Sequence, residues 1–412
     1  MKIAIIIQSL TISGGTARQV VMLGRELISR GHEVTFYTFS YGEDLCFPES
    51  FKGLLVVSLD TEYSRFLTRF FRVRFFGTFV HQYMENRKCR ALALQISANT
   101  EILNPHEQIS MRVAYYFKKF VKDIPSVAMM SDMTLASWSL FDDPALRPPR
   151  RTFLKRLVNW LRDDYEIRKF IAAQDSIAVL NYRTQHIASA FLGRAIVVTR
   201  SGVDANKFPF KNRIAPSNKK ITILCHGIFY IHRRFEDVIQ ATAVLYKEGF
   251  DVRLTIIGDH EHKDTARKYY RTLVKLVRDL GLSQFVTFRG AVSERELLEA
   301  YYAADIFVFA SHMQTWGIAV FEAMATGLPV VLSDTAGASE VLNDGENVLL
   351  YPALDSEALA GRIRDLVDDE HLYKKISVTG SEFVRKKITW QRYANDFEGF
   401  FAHALQRQKK LF

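Results

Sequence analysis

The sequence predicts an α/β protein made of two successive Rossmann-like domains. The chain has 412 residues, which is too long for one ordinary hydrophobic core and suits two domains. Short apolar segments alternate with amphipathic segments from the first residues onward, and the same alternation starts again near residue 221. A turn-rich stretch at 200–204 and a polar run at 216–220 separate the two halves, which predicts a domain junction there.

The first half opens with a predicted strand, helix and strand. Lys2–Ile7 is an apolar run, which is typical of a strand buried in a parallel sheet. Ala17–Arg30 has helical periodicity and ends at Gly31, a residue suited to the position after a helix. Further strands are predicted at His32–Thr38, Leu54–Leu59, Pro125–Met130, Ser176–Leu180 and Ala195–Thr199.

The second half repeats the pattern, and helices follow it to the C-terminus. Its predicted strands are Ile221–Cys225, Val252–Ile257, Val286–Arg289, Ile306–Phe309, Val330–Leu332 and Val348–Leu350. Its predicted helices are Phe235–Glu248, Lys263–Leu280, Ser293–Ala303 and Ile318–Ala325, with Ser293 and Glu296 spaced as a capping box.

The amino-acid composition and net charge limit the kinds of molecule that this protein is expected to bind. Hydrophobic residues make up 48% of the chain and charged residues 24%, which are globular values. The net charge of +10 predicts an anionic partner, and nucleic acid, an anionic membrane or a phosphorylated substrate would each satisfy it.

The three cysteines lack metal-binding spacing, which fits a reducing cytosol. We see no signal peptide pattern and no apolar run of the ~20 residues that span a bilayer, so any membrane contact is expected to be peripheral.

The most informative segment runs from Gln314 to Gly337. It predicts a tight loop at Trp316 and Gly317, a short helix, a stop at Gly327 and a buried strand. A helix that begins after a glycine presents backbone N–H groups and a partial positive charge, so its first turn is a candidate phosphate site. A plain helix–strand unit of an α/β protein is the simpler alternative.

This segment resembles the nucleotide-sugar site of the retaining glycosyltransferases of family 4, the glycosyl transferases group 1, which have the GT-B fold. Their signature is Glu, seven residues, Glu, then Ala-Met-Ala-x-Gly-x-Pro-Val; this chain has Glu322 as the second Glu and Gln314 in place of the first. The resemblance implies two facing domains with the site in the cleft between them. It assigns 1–200 to an acceptor-binding domain and 201–387 to a nucleotide-sugar-binding domain, with the helix at 388–412 packing back on the first.

Two other elements carry the resemblance. Gly14-Gly15 follows the first strand, and in the family this double glycine lets the backbone approach the donor, although a simple tight turn is the alternative. Ser201-Gly202-Val203-Asp204 resembles the family's Asn-Gly-Val-Asp element at the domain junction.

A third element, from Gly227 to Ala241, aligns with the family's Gly-Arg-Leu, three residues, Lys-Gly, whose Arg and Lys grip the donor diphosphate. Here Ile228 occupies the Arg position and Arg233 the Lys position. A guanidinium also holds phosphate oxygens, so Arg233 is the predicted phosphate ligand. Arg234 or His232 is expected to supply the charge lost at Ile228; the alternative for any one of them is a solvated loop charge.

The resemblance implies a role for each candidate residue. Glu322 would accept hydrogen bonds from the ribose, Gln314 would face the sugar, and His106 would lie near the transferred sugar unless it is a surface or capping histidine. The predicted catalytic residues are His106, Arg233, Gln314 and Glu322. The predicted diphosphate and sugar site is Gly14, Gly15, Thr16, Gly202, Arg233, Arg234, Gln314, Thr315, Trp316, Gly317 and Ile318. The predicted nucleoside site is Gly290, Val292 and Glu322, and Asp132 is a weaker candidate at the first domain's strand ends.

No metal or other cofactor is expected. The run Asp259-His260-Glu261-His262 resembles a metal cluster, but adjacent loop residues rarely converge on one ion, so a solvated loop is favoured. The chain contains no Asp-x-Asp, which fits an enzyme that neutralises its leaving group with arginine and a helix N-terminus.

Two basic, aromatic stretches in the first half predict contact with an anionic membrane or a lipid-linked acceptor. Their cations are Arg65, Arg69, Arg72, Arg151 and Lys155, and phenylalanines surround the first three. A core helix with a solvated arginine face is the alternative. We expect no nucleic-acid partner, because no RNA-binding signature is present.

The predicted function is transfer of a hexose, with retention, from a UDP- or GDP-sugar to a hydroxyl of a glycan or lipid-linked glycan. The expected setting is bacterial-type surface polysaccharide synthesis at the cytoplasmic face of the membrane. One alternative is a glycosyltransferase-like protein that binds without turnover in a polysaccharide assembly complex, as the residues Gln314 and Ile228 suggest. The other is a nucleotide-dependent oxidoreductase, which the missing Gly-x-Gly-x-x-Gly disfavours.

Overall fold

The computed structural model describes residues 1–10, 15–41, 51–59, 77–131, 153–261 and 263–409, with side chains left out at 77–80 and 153–159. The chain divides into two compact units. The N-terminal unit is Met1–Ser201 together with Trp390–Phe412, and the C-terminal unit is Gly202–Thr389.

Both units alternate strands with helices. The strands are β1 (Lys2–Leu10), β2 (Glu33–Tyr41), β3 (Leu55–Ser58), β4 (Ile102–Pro105), β5 (Val127–Met129), β6 (Ser176–Val179), β7 (Val197–Val198), β8 (Lys220–His226), β9 (Asp251–Ile257), β10 (Val286–Arg289), β11 (Ile306–Phe309), β12 (Val330–Ser333) and β13 (Leu349–Tyr351). The helices are α1 (Gly15–Ser29), α2 (Gly77–Gln95), α3 (Gln108–Phe120), α4 (Phe153–Glu166), α5 (Tyr182–Leu192), α6 (Phe235–Lys247), α7 (Asp264–Asp279), α8 (Glu294–Ala303), α9 (Ile318–Ala325), α10 (Ser356–Asp368), α11 (Glu370–Lys387) and α12 (Trp390–Lys409).

The C-terminal unit is a six-stranded parallel sheet in the order β10-β9-β8-β11-β12-β13. The strand order reverses between β8 and β11, and in open parallel sheets ligands bind at the carboxyl ends of strands at such a reversal. The core of this unit consists of apolar residues of the sheet, which α6, α7, α10 and α11 cover. The sheet therefore directs the loops after β8 and β11 toward one edge.

The N-terminal unit has parallel strands in the orders β3-β2-β1-β4 and β5-β6-β7. The two groups meet where the Leu103 N–H donates to the Pro125 carbonyl at 2.9 Å, and where His106 bridges to Met129. The sequence analysis predicted no strand at this point and so missed β4, whose four residues are all buried beside β1. A strand this short that ends in proline carries almost no periodic signal.

The last helix, α12, packs on α1 within the N-terminal unit. Arg30 donates to Glu398 at 2.5 Å and to Asn395 at 2.6 Å, and His32 Nε2 contacts Glu398 at 2.8 Å. The apolar face of α12 is buried, with Phe397 fully inaccessible to solvent. In the described part of the chain, no helix combines the length and apolarity needed to cross a membrane.

Candidate active site

Arg233 lies against Gly227, the glycine that follows β8. Gly227 has a φ of 152°, and a Cβ built on it would lie 3.2 Å from the Arg233 Nε. Arg233 Nη1 donates to the Ser311 hydroxyl at 3.3 Å, and its guanidinium carbon lies 5.8 Å from the centre of the Phe309 ring. The loops after β8 and β11 therefore bring one guanidinium to the switch point of the sheet.

The same Phe309 ring supports the start of α9. Gly317 precedes this helix with a φ of 106°, and a Cβ there would lie 3.1 Å from the Phe309 ring. Its left-handed backbone favours glycine, and the backbone N–H groups of the first turn begin at Ile318. Arg233 and the start of α9, where the helix dipole is positive, thus both pack against the Phe309 ring. This arrangement suits an anion.

The backbone at this edge is tightly packed. Gly258, which follows β9, has a φ of 159°, and a Cβ there would come within 2.0 Å of the Gly227 carbonyl oxygen. The Gly258 N–H also donates to the Gly290 carbonyl at 3.3 Å, which ties in the loop after β10. That loop ends in the capping box predicted from sequence, with Ser293 and Glu296 hydrogen-bonded to each other's backbone. Gly290 is exposed and Val292 half-buried.

Glu322 is 4% exposed and takes part in a buried hydrogen-bond chain. The Tyr301 hydroxyl donates to Glu322 Oε2 at 3.2 Å and lies 2.5 Å from His226 Nε2. Because the tyrosine proton points to the carboxylate, His226 donates its own Nε2 proton to the tyrosine oxygen. This chain holds the carboxylate on α9, and sequence reasoning missed both of its other members.

Gln314 is fixed through its backbone. Its carbonyl accepts a hydrogen bond from the Gly337 N–H at 2.7 Å. The His312 N–H donates to the His232 carbonyl at 2.8 Å, so the loops after β8 and β11 are also joined through their backbones. Met313, just before Gln314, has a φ of 58°, a strained conformation for a side chain of this kind.

Arg234 and His232 were expected to supply the positive charge that is missing at Ile228, but neither has an uncompensated positive charge. Arg234 pairs with Glu236 at 2.7 Å and with Asp237 at 2.6 Å, so its charge is already compensated. Burial, with Arg233 next to it, lowers the pKa of His232 to about 3, so its ring is neutral at neutral pH. Arg233 is the predicted phosphate ligand that remains.

The side chain of Trp316 belongs to the core. It is 1% exposed and lies 4.8 Å, centre to centre, from the Phe321 ring. Trp316 can therefore contribute only backbone groups to a ligand.

In the N-terminal unit, His106 is fully buried at the end of β4. Its Nε2 lies 3.0 Å from Asn104 Oδ1, and its ring stacks on Phe397 at 6.1 Å. The Asn104 amide nitrogen donates to the Val127 carbonyl at 2.6 Å, which makes the asparagine oxygen the acceptor and leaves His106 Nδ1 unprotonated. Burial lowers the pKa of His106 to about 3, so the ring is a neutral hydrogen-bond acceptor.

The remaining predicted residues have the following positions. Gly15 is exposed and Thr16 half-buried in the first turn of α1, and Gly202 is buried at the start of the C-terminal unit. Gly14, Arg65, Arg69, Arg72, Asp132, Arg151 and His262 lie outside the described residues, as does the side chain of Lys155. Within the described ranges, no three His, Cys, Asp or Glu side chains are grouped as metal ligands.

Comparisons with known proteins find a family match in the C-terminal unit. Residues 206–383 match the sequence model described as glycosyl transferases group 1. The mannosylfructose-phosphate synthase of Agrobacterium fabrum is 27% identical over 188 residues, which cover 45% of this chain and 41% of that protein. The lipopolysaccharide core biosynthesis glycosyltransferase LpsE of Rhizobium meliloti is 30% identical over 202 residues, 48% of this chain and 52% of LpsE. The matches thus span about half of these relatives.

A solved structure supports the fold over the whole chain. Anabaena Alr3699/HepE, crystallised with UDP and glucose, superposes with a TM-score of 0.72 at 16% identity, covering 98% of this chain and all of that one. The family match thus lies within the C-terminal unit, Gly202–Thr389. The fold class predicted from the sequence, an α/β protein with two Rossmann-like domains, is confirmed.

Proposed function

We propose that this protein is a retaining hexosyltransferase that moves a sugar from a nucleoside diphosphate to a hydroxyl of a glycan or lipid-linked glycan. The observation that carries the proposal is that Arg233 and the start of α9 both pack against the Phe309 ring, while α9 also carries the buried carboxylate of Glu322. The pair suits a diphosphate and the carboxylate suits a vicinal diol, so together they match the diphosphate and the ribose of a nucleoside diphosphate.

The chemistry asked of these groups is stabilisation of a leaving group. The bond between the anomeric carbon and the diphosphate oxygen breaks with its electron pair on that oxygen. The acceptor hydroxyl bonds to the same face of the carbon, as the family resemblance implies, and its proton passes to the departing phosphate. Arg233 and the α9 N–H groups would bear the charge that develops on the diphosphate. Glu322 would hold the ribose and thereby fix the position of the donor.

Calorimetry tests donor binding most directly. We expect purified protein to bind either UDP or GDP, but not NAD, with the same affinity in EDTA as without it. Arg233→Met should weaken that binding about 10- to 100-fold, because it removes charge-assisted hydrogen bonds to phosphate. Arg295→Met, on the exposed face of α8, is the matched control and should leave binding unchanged. Equal affinity in both variants would contradict the assignment of Arg233.

An assay of sugar release distinguishes an enzyme from a protein that binds the donor without turnover. The absence of a carboxylate at Gln314 and of a guanidinium at Ile228 favours the second candidate function, a protein that binds the donor without transferring it. Release of sugar from UDP-glucose or GDP-mannose, followed by NMR with and without glycan acceptors, would exclude that candidate. Tight nucleotide binding without any sugar release would replace the hexosyltransferase by it.

We further propose a lipid-linked acceptor in surface polysaccharide synthesis and peripheral contact with the cytoplasmic leaflet. The name of the relative LpsE supports the pathway class. On α4, Trp160 and Leu161 are each 53% exposed, as suits a helix that inserts an apolar edge into an interface. Vesicles with anionic lipids should bind the protein, and Arg69→Glu with Arg72→Glu should weaken that binding. Binding that is equal to neutral vesicles and insensitive to both changes would refute this part.

A further inference from the structure

We propose that Ser311 is a further phosphate-binding residue, whose hydroxyl donates a hydrogen bond to the same diphosphate that Arg233 meets. The proposal rests on the proposed function and adds a neutral donor beside the guanidinium. Ser311 lies two residues after the end of β11 and is 2% exposed. The sequence analysis did not assign it to the donor site, because a single serine after a strand carries no recognisable pattern.

The contact between Ser311 and Arg233 leaves the serine proton unused. Arg233 Nη1 lies 3.3 Å from the Ser311 hydroxyl oxygen. A guanidinium has only donors, so the serine oxygen is the acceptor and its own proton points elsewhere. In the described part of the chain this is the only hydrogen bond that the Ser311 hydroxyl makes. A buried donor without an acceptor costs free energy, and an oxygen of a bound ligand would offset that cost.

Ring and backbone contacts hold the serine beside the guanidinium. Phe309 and Ser311 are two residues apart on an extended chain, so their side chains lie on the same side. The guanidinium carbon of Arg233 is 5.8 Å from the centre of the Phe309 ring. One residue along from each member of the pair, the His312 N–H donates to the His232 carbonyl at 2.8 Å. The pair is therefore set by the two loops and not by a mobile side chain alone.

Glycines bring the neighbouring groups close to this pair. A Cβ built on Gly227 would lie 3.2 Å from the Arg233 Nε, so the missing side chain lets the arginine lie over the backbone. A Cβ built on Gly317 would lie 3.1 Å from the Phe309 ring, which places the start of α9 at the same ring. A phosphate carries several oxygens on one phosphorus. One oxygen can accept from Arg233 while its neighbour accepts from the Ser311 hydroxyl.

A neutral donor suits the charge of this loop. Arg234 is already paired with Glu236 and Asp237, and Ile228 has no charge to offer. Arg233 and the positive end of the α9 dipole then meet the diphosphate together with neutral donors, and the Ser311 hydroxyl is one of them.

The first experiment compares a nucleoside diphosphate with its nucleoside. Ser311→Ala should weaken the binding of UDP or GDP, whichever the protein binds, about 10-fold in calorimetry, the value of one hydrogen bond to a charged group. The affinity for uridine or guanosine, measured by ligand-observed NMR at millimolar concentration, should stay the same. Ser311→Cys keeps nearly the same shape but donates weakly, so it should show the same preference in its loss without a cavity.

Ser377→Ala is the matched control. Ser377 is also 2% exposed in the C-terminal unit, and its hydroxyl donates to the Gly327 carbonyl at 2.5 Å. The change should lower the unfolding midpoint but leave the affinity for UDP or GDP unchanged. A serine whose role is only structural would behave in this way, so the control separates loss of stability from loss of a phosphate contact.

The second experiment separates a direct contact from an effect through Arg233. In the Arg233→Met background, Ser311→Ala should still weaken UDP or GDP binding by about 3-fold or more, because the hydroxyl itself reaches the phosphate. No further loss in that background would show that Ser311 only orients the arginine, and it would overturn the proposal.

Two other results would also decide against Ser311. Equal losses for the nucleoside and the nucleoside diphosphate, or an affinity for UDP or GDP that Ser311→Ala and Ser311→Cys leave intact, would refute a phosphate contact. Either result would leave the proposed function standing if Arg233→Met still weakens binding. Failure of the unmodified protein to bind any nucleotide would instead refute the proposed function and this contact with it.

Discussion

The hydroxyl of Tyr301 offers the most direct test of how the C-terminal unit holds Glu322. Tyr301→Phe keeps a ring of nearly the same volume in a fully buried position, so it creates no large cavity. The change removes the donor 3.2 Å from the carboxylate and the acceptor 2.5 Å from His226. A hydrogen bond to a charged group contributes about 1.5–3 kcal/mol and a neutral one about 0.5–1.5 kcal/mol. We therefore expect the free energy of unfolding to fall by about 2–4 kcal/mol.

The functional effect should be smaller and specific. Glu322 keeps its place on α9 but loses the donor that orients it, so the affinity for UDP or GDP should fall by about 3- to 10-fold. Denaturant unfolding monitored by circular dichroism gives the first quantity, and calorimetry gives the second. Both must be measured on the same preparation, with binding recorded well below the unfolding midpoint.

Tyr302, the next residue along α8, is a matched control. Its hydroxyl donates to the Pro209 carbonyl at 2.9 Å in an exposed position, so Tyr302→Phe should cost under about 1 kcal/mol and leave nucleotide affinity alone. If Tyr301→Phe were as mild as Tyr302→Phe in both measurements, the hydrogen-bond chain would not be what holds Glu322.

Two further predictions concern packing and pH. Gly258→Ala should unfold or reshape the C-terminal unit, because the new Cβ would lie 2.0 Å from the Gly227 carbonyl oxygen. Backbone strain alone should lower the free energy of unfolding by about 1–3 kcal/mol. An unchanged unfolding midpoint would contradict this close approach. Partial burial would raise the pKa of Glu398, but hydrogen bonds from His32 and Arg30 outweigh burial and lower it. The carboxylate therefore stabilises the docking of α12 above its unfolded pKa of about 4.3 and loses that effect as the pH falls through the lower folded pKa. Amide hydrogen exchange in α12 should become faster as the pH falls through this range, and Glu398→Gln should remove that pH dependence. Equal pH profiles for the unmodified protein and Glu398→Gln would refute the prediction.

Sequence reasoning predicted the parts of the fold that local pattern determines. β10, β11 and α9 have the predicted bounds, because continuous apolar runs and a glycine before a helix are local signals. The capping box of Ser293 was predicted for the same reason. β4 was missed, since four buried residues ending in a proline show no periodicity.

The candidate site was predictable only as a set of residue types. Arg233 and Ser311 are 78 residues apart, and Tyr301 and Glu322 are 21 apart, so no local pattern pairs them. The contact between Arg233 and Ser311 arises from the strand order of the sheet, which brings the loops after β8 and β11 to one edge. The proposed roles of these residues stay predictions until donor binding is measured.

Arg233 and Arg234 show why residue type alone could not assign the phosphate ligand. The two side chains have the same charge and neighbouring positions, yet the second has a φ of 53° at the start of α6. That turn directs its guanidinium to the carboxylates of Glu236 and Asp237 in the first turn of its own helix. Arg233 instead lies over Gly227, where a larger residue would crowd its Nε. The glycine and the local carboxylates thus decide which arginine can meet a diphosphate, and that decision depends on backbone geometry that follows from the folded sheet.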